Sequence, residues 1–106
     1  MVSFDEFKKL EIKVARIIEV NDHPNADKLY VLKIDLGSEK RQIVAGIKSN
    51  YNPQDLLSRQ IAVVANLEPA TIRGIESQAM LLAAQDSKGI SILQPDREME
   101  QGSPIK

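Results

Sequence analysis

Hydrophobic and polar positions change period several times along this chain, and the changes mark out its elements. Ser3-Phe4-Asp5-Glu6 has the S-x-x-E form, in which a hydroxyl and an acid cap the first turn of a helix from both sides. It predicts a short helix within residues 1–9, with Phe4 and Phe7 on one side. Beyond Leu10 the period falls to two. Leu10, Ile12, Val14, Ile18 and Val20 alternate, Ala15 and Ile17 are apolar on the opposite side, and Arg16 interrupts. The pattern predicts a long strand that partly buries both faces and bends near Ala15. A small closed barrel uses such a strand in two sheets, turning the corner at a bulge.

His23-Pro24-Asn25-Ala26-Asp27 is turn chemistry. Tyr30, Leu32, Ile34 and Leu36 alternate as a second strand, and Gly37-Ser38 leads by a hairpin-type connection into a third over Arg41–Ala45. Asn52-Pro53-Gln54-Asp55 reads as an N-cap, a proline at the first helical position and an acid in the first turn, opening a brief helix over Leu56-Leu57. Ile61, Val63, Ala65 and Leu67 alternate as a fourth strand. Met80–Ala84 supplies a fifth and Ile90–Leu93 a short sixth. From Pro95 to Lys106 the tail has no clear period. Five or six short strands, with one small helix after the third, is the order of an all-β OB-fold barrel. Periodicity alone also admits an SH3-like barrel; the helix favours OB.

Between the fourth and fifth strands lies the segment richest in chemistry, Asn66 to Met80. It sets an amide, an arginine, a hydroxyl and a thioether between two apolar runs. Such groups are satisfied internally or offered to a partner. Composition narrows the choice. A chain of 106 residues, 42% hydrophobic and 27% charged, is expected to form one soluble domain over 1–106. With no cysteine and one histidine, disulfides, thiolate catalysis and Cys- or His-rich metal sites are not expected. No cofactor is expected either. No apolar stretch approaches the roughly 20 residues that span a bilayer, so no membrane partner is expected and the cytoplasm is the default location. The net charge of −1 argues against RNA binding by bulk electrostatics. Any RNA site must gather a few cations on one face, and four aromatics limit base stacking.

Individual residues admit two readings each. Arg73 beside Gly74 is a candidate phosphate contact, or a solvated arginine paired with Glu76. Ser77 and Met80 are candidates to meet a base or ribose, or a turn hydrogen bond and core packing. Asn66, ending an alternating strand, is better suited to brace the following loop than to read a base. His23 reads as local packing rather than catalysis or metal binding. Lys28, Lys33, Arg41 and Lys48 are candidate backbone contacts if the barrel brings them to one face, and solvated surface otherwise.

Four pieces in register carry a resemblance: His23–Leu29, Lys33–Gly37, Arg41–Ile47 and Asn66–Met80. Together they resemble the tRNA-binding domain family. Its OB-fold module occurs as a stand-alone dimeric tRNA-binding protein, at the C-terminus of methionyl-tRNA synthetases and in cofactors of the endothelial-monocyte-activating polypeptide II type. The resemblance spans nearly the whole chain. It implies a non-catalytic module that recognises tRNA shape with little sequence reading, forms a homodimer, and assists a methionyl-tRNA synthetase in cis or in trans. Phe4, Phe7 and Ile105 are the candidate dimer contacts. Glu68 and Thr71 stand near positions where the family usually carries a base, and Ala79 where it usually has Gly. These departures imply weaker affinity, or a site shifted toward Arg73 and the lysines of the first three strands. A dimeric chaperone or protein-interaction module, like the related secretion chaperones, is the alternative. An enzyme is the weakest reading, since no nucleophilic triad, carboxylate pair, phosphate loop or metal cluster can be assembled.

Overall fold

One long strand organises the molecule. In the computed structural model, which describes all residues from Met1 to Lys106, β1 (Ile12–Asp22) pairs antiparallel with two neighbours in turn. Its first half lies against β4 (Gln60–Val64) and its second against β2 (Tyr30–Asp35). Arg16 is the changeover, facing Gln60 on one side and Asp35 on the other. The register slips between Ile17 and Glu19, so the bend expected near Ala15 falls at Ile18 instead. β2 pairs in turn with β3 (Lys40–Ala45), and β4 with β7 (Met80–Leu81), giving the order β3-β2-β1-β4-β7. The helix α2 (Pro53–Leu56) lies between the third and fourth strands. This is a nearly closed OB-type barrel.

Half of the capping box forms: the Ser3 hydroxyl accepts from Glu6 N–H and starts α1 (Phe4–Phe7), but the Glu6 carboxylate accepts from that hydroxyl rather than from Ser3 N–H, and Lys8 and Lys9 continue only as a turn. Asn52 precedes Pro53 at the start of α2 without a side-chain cap. Of the two leucines there, Leu56 enters the core and Leu57 stays outside. The expected fifth strand is split at Leu82. Its N–H donates to Ala62 O, while Ala62 N–H donates to Leu93 O, so both segments converge on one residue of β4. Beyond it, β8 (Ala83–Asp86) pairs with β9 (Gly89–Ile92) as a separate hairpin. No helix is long and apolar enough to cross a membrane.

Inward positions of the strands converge on one core. Ile17, Leu32, Ile34, Ile43, Ile61 and Val63 are fully buried, and Leu56 joins them from α2. Tyr30 and Tyr51 keep their hydroxyls paired: Tyr30 donates to Tyr51 O at 2.7 Å, and the Tyr51 hydroxyl accepts from Ile92 N–H at 3.0 Å.

The tail that lacked a period is held by polar groups. Buried Gln60 donates to Met99 O and Gln101 Oε1 and accepts from Met99 N–H. Gly102, at φ +87°, donates to Val14 O, and a β-carbon there would strike the Leu36 carbonyl. β10 (Pro104–Ile105) then pairs with Ile12 and Lys13, taking the edge of β1 that β2 leaves free. Leu32→Ala is expected to lower unfolding free energy by about 2–5 kcal/mol, measured by urea denaturation, because the surrounding barrel cannot collapse onto the lost side chain.

Candidate nucleic-acid interface

The segment from Asn66 to Met80 is an ordered hairpin rather than an open loop. β5 (Ala70–Ile72) and β6 (Ile75–Ser77) pair antiparallel across the two-residue tip Arg73-Gly74. Both tip residues have positive φ, +53° and +86°, as the favoured two-residue hairpin turns of type I′ require. Glycine adopts this freely; for arginine the left-handed region costs about 1–2 kcal/mol. Arg73 is exposed and enters none of the chain's ion pairs. The pairing with Glu76 considered above is absent, since the Glu76 carboxylate accepts instead from Gln78 Nε2 at 3.0 Å.

A second loop fixes the hairpin. His23 is only 5% exposed, and its ring is held from both sides. Nδ1 accepts from Asn25 N–H at 3.0 Å, which leaves Nε2–H to donate to Ile72 O at 3.0 Å, one residue before the arginine. The two motifs that stand far apart in sequence, His23–Leu29 and Asn66–Met80, therefore meet through one imidazole. In OB barrels the corresponding pair of loops flanks the face of the second and third strands, which is where oligonucleotides bind.

Side chains complete the barrel where the backbone ladder fails. Between β3 and the end of β6, Val44 N–H donates to the Ser77 hydroxyl, which donates onward to Ala79 O. Gln42 N–H donates to Gln78 Oε1, Gln42 Nε2 to Glu76 O, and Gln78 N–H to Gln42 O. Arg41 reaches across to the carbonyls of Ala65 and Gln78 and pairs with Glu39. Asn66 clamps the N-terminal segment, accepting from Glu11 N–H at 2.8 Å and donating to Lys9 O at 2.6 Å.

The proposed site residues thus separate by geometry. Arg73 and Met80 are exposed at the hairpin and its foot. Lys28 is exposed in the loop beside His23, and Lys33 on the outer face of β2. Lys48 is tied to Asp22 at 3.0 Å, with its ammonium 5.8 Å from the Tyr30 ring centre. Ser77, Asn66 and Arg41 have their polar atoms committed to the frame, and Ser77 is 6% exposed. The roles of Gln42 and Gln78 escaped sequence reasoning, because a strand glutamine carries no signal of what lies across a seam.

Residues 12–104 match the family model described as "Putative tRNA binding domain". The chain belongs to the tRNA-binding domain family. A methionine–tRNA ligase of Thermococcus kodakarensis is 57% identical over 105 residues, which are 99% of this chain and 14% of that protein. The chain therefore spans about one-seventh of the length of the curated relatives it matches. A MetRS-related protein from Pyrococcus horikoshii superimposes with a TM-score of 0.93 at 31% identity, covering 100% of this chain and 98% of the other. A CsaA chaperone protein from Picrophilus torridus also gives 0.93, at 33% identity, with both chains covered in full. Within this family frame, the histidine brace is a stability element of the hairpin. His23→Ala is expected to lower stability by about 1–3 kcal/mol, leaving Ile72 O and Asn25 N–H without their partner. Faster hydrogen exchange at the Asn25 amide, read by NMR, checks it.

Proposed function

We propose that this chain is a non-catalytic tRNA-binding module, docking folded tRNA on the face between the His23 loop and the Arg73 hairpin. One observation carries the reading: a free arginine sits at the tip of a braced hairpin, in a backbone conformation that costs it stability. Strain of that kind persists where the side chain has a task, and a guanidinium with five donors suits a phosphate. Lys28 and Lys33 add free ammonium groups, Lys48 joins by exchanging Asp22 for phosphate, and Met80 meets the ligand at the hairpin's foot. Asn66, Arg41 and Ser77 shape this face rather than touch the RNA. So few cations recognise the bend of a folded RNA rather than a sequence.

Similarity to methionine–tRNA ligases supports a cytoplasmic methionyl-tRNA synthetase, assisted in cis or in trans, as the natural setting. The module raises the local tRNA concentration for a catalytic part it does not itself contain. A homodimer doubles the surface. Its contact is the N-terminal face, where Phe4 is 71% exposed and a cavity of about 490 Å3 is lined by Phe4, Phe7, Leu10, Ile12 and Ile105. Apolar exposure on this scale marks association surfaces. The same face, with the likeness to chaperones, supports the second reading, an interaction module for apolar segments.

Arg73→Asn separates strain from function. Asparagine tolerates the left-handed conformation, so the variant is expected to gain up to about 1 kcal/mol in thermal unfolding. It is expected to lose about 1–3 kcal/mol in tRNA binding at fixed salt, measured by fluorescence titration, and to bind with a shallower salt dependence. Bulk tRNA is expected to outcompete an unstructured RNA of equal length; equal binding, or binding insensitive to salt, speaks for the second reading. Light scattering at micromolar concentration is expected to report a dimer, and Phe4→Glu a monomer that keeps its fold.

A further inference from the structure

At the foot of the hairpin lies a small slot that the phosphate contacts do not use. Its volume is about 150 Å3, and its walls are Val44, Leu67, Ala70, Ile72, Ala79 and Met80. An apolar cavity of that size takes up one six-membered ring, so a purine would enter by its Watson–Crick side and leave its fused five-membered ring at the mouth. Met80 and Leu67, at 47% and 40% exposure, put one side of it in reach of solvent. Two polar residues complete the lining, Ser77 and Glu68. The Ser77 hydroxyl is already engaged with Val44 N–H and Ala79 O. Glu68 is exposed and enters no ion pair, so its carboxylate is the free polar group of the slot.

An ionised carboxylate only accepts hydrogen bonds, and it can take two donors side by side. A ring that fits must therefore present donors at its edge. A phenylalanine ring presents none and would desolvate the charge without return. Among the bases, guanine alone offers two adjacent donors, N1–H and the N2 amino group. Adenine, cytosine and uracil each set an acceptor next to their donor, which a carboxylate repels. We propose that this slot holds a single unstacked guanine of the bound RNA, its ring between the hairpin stem and Val44 and its Watson–Crick edge on Glu68. Unstacked bases of single-stranded regions are read in this way, by apolar contact on their faces and hydrogen bonds on their edges. The inference rests on RNA being the ligand, and it gives that otherwise shape-based recognition one base of specificity. It also gives a purpose to an acid on a face meant for a polyanion.

The test uses the RNA pentanucleotides UUGUU and UUAUU with the 15N-labelled full chain, beside folded tRNA. UUGUU is expected to move the amide signals of Ala70, Ile72 and Ala79 and to bind roughly tenfold tighter than UUAUU. Glu68→Gln, at an exposed and unpaired position, is expected to keep the fold and abolish most of that advantage. Equal binding of the two pentanucleotides, or a preference that survives Glu68→Gln, overturns the slot. If tRNA binds while guanine shows no advantage, the slot is lost and the tRNA reading stands. If guanine is preferred while tRNA fails to bind, the reverse holds. Shifts at these amides from N-acetyl-phenylalaninamide but from neither oligonucleotide overturn it in favour of an apolar peptide.

Discussion

The seam between β3 and the residues after the hairpin is the constraint on which the site depends. A barrel is stable only when its last edge finds partners, since unpaired backbone groups at a buried edge are costly. Here the two edges do not share a regular ladder. Gln42, Gln78, Ser77 and Arg41 supply the missing donors and acceptors with their side chains. One backbone bond, Gln78 N–H to Gln42 O, crosses the seam, and side-chain rungs carry the rest. The slot lined by Val44, Ile72, Ser77 and Met80 opens beside it, sharing Val44 and Ser77 with the seam. The closure of the fold and the shape of the candidate site are one arrangement.

Electrostatics fits the same picture. With a net charge of −1, the chain cannot draw RNA by its overall field. Several of its cations are spent on neighbours: Arg16 on Glu98, Arg41 on Glu39, Lys48 on Asp22. The free cations of the candidate face, Arg73, Lys28 and Lys33, gain weight from position. Exposed ion pairs contribute little to stability, so the loss of a pair such as Lys48–Asp22 to a phosphate would cost the fold little.

Strand order, both short helices and the core were legible from periodicity and capping residues, because burial imposes alternation on every inward face. Ile17, Leu32, Ile34, Ile61 and Val63 stand among the apolar positions of the predicted strands and are buried in the barrel, whereas Leu10 and Leu67 of the same runs stay exposed. The bend was misplaced from Ile18 to Ala15 because a bulge is a register relation between two strands and leaves no mark on one. The fifth strand was read as continuous because Ala83 and Ala84 continue the apolar run, although their partners lie in β9 rather than β4. The tail could not be read at all: its anchors are Gln60 and Gly102, polar and small, and their partners are distant. In the candidate site, Arg73 stood out as a charge beside a glycine. The imidazole brace and the commitment of Ser77, Asn66 and Arg41 rest on contacts across 24 or more positions of chain, which a local pattern does not encode.

The docking of β10 beside the start of β1 has a further effect. Ile105 lies opposite Ile12, and Lys106 shares a cavity wall with Phe4, so α1 and the last residues lie on one side of the barrel. Neighbouring ends allow a folded unit to be carried in a larger polypeptide without threading or distortion, and allow its ends to be joined and the chain reopened elsewhere. The turn Ser87-Lys88, remote from the core in an exposed hairpin, is the natural place to reopen it. Architecture alone makes this barrel transplantable: a cassette whose hairpin rim lies apart from the ends to be spliced.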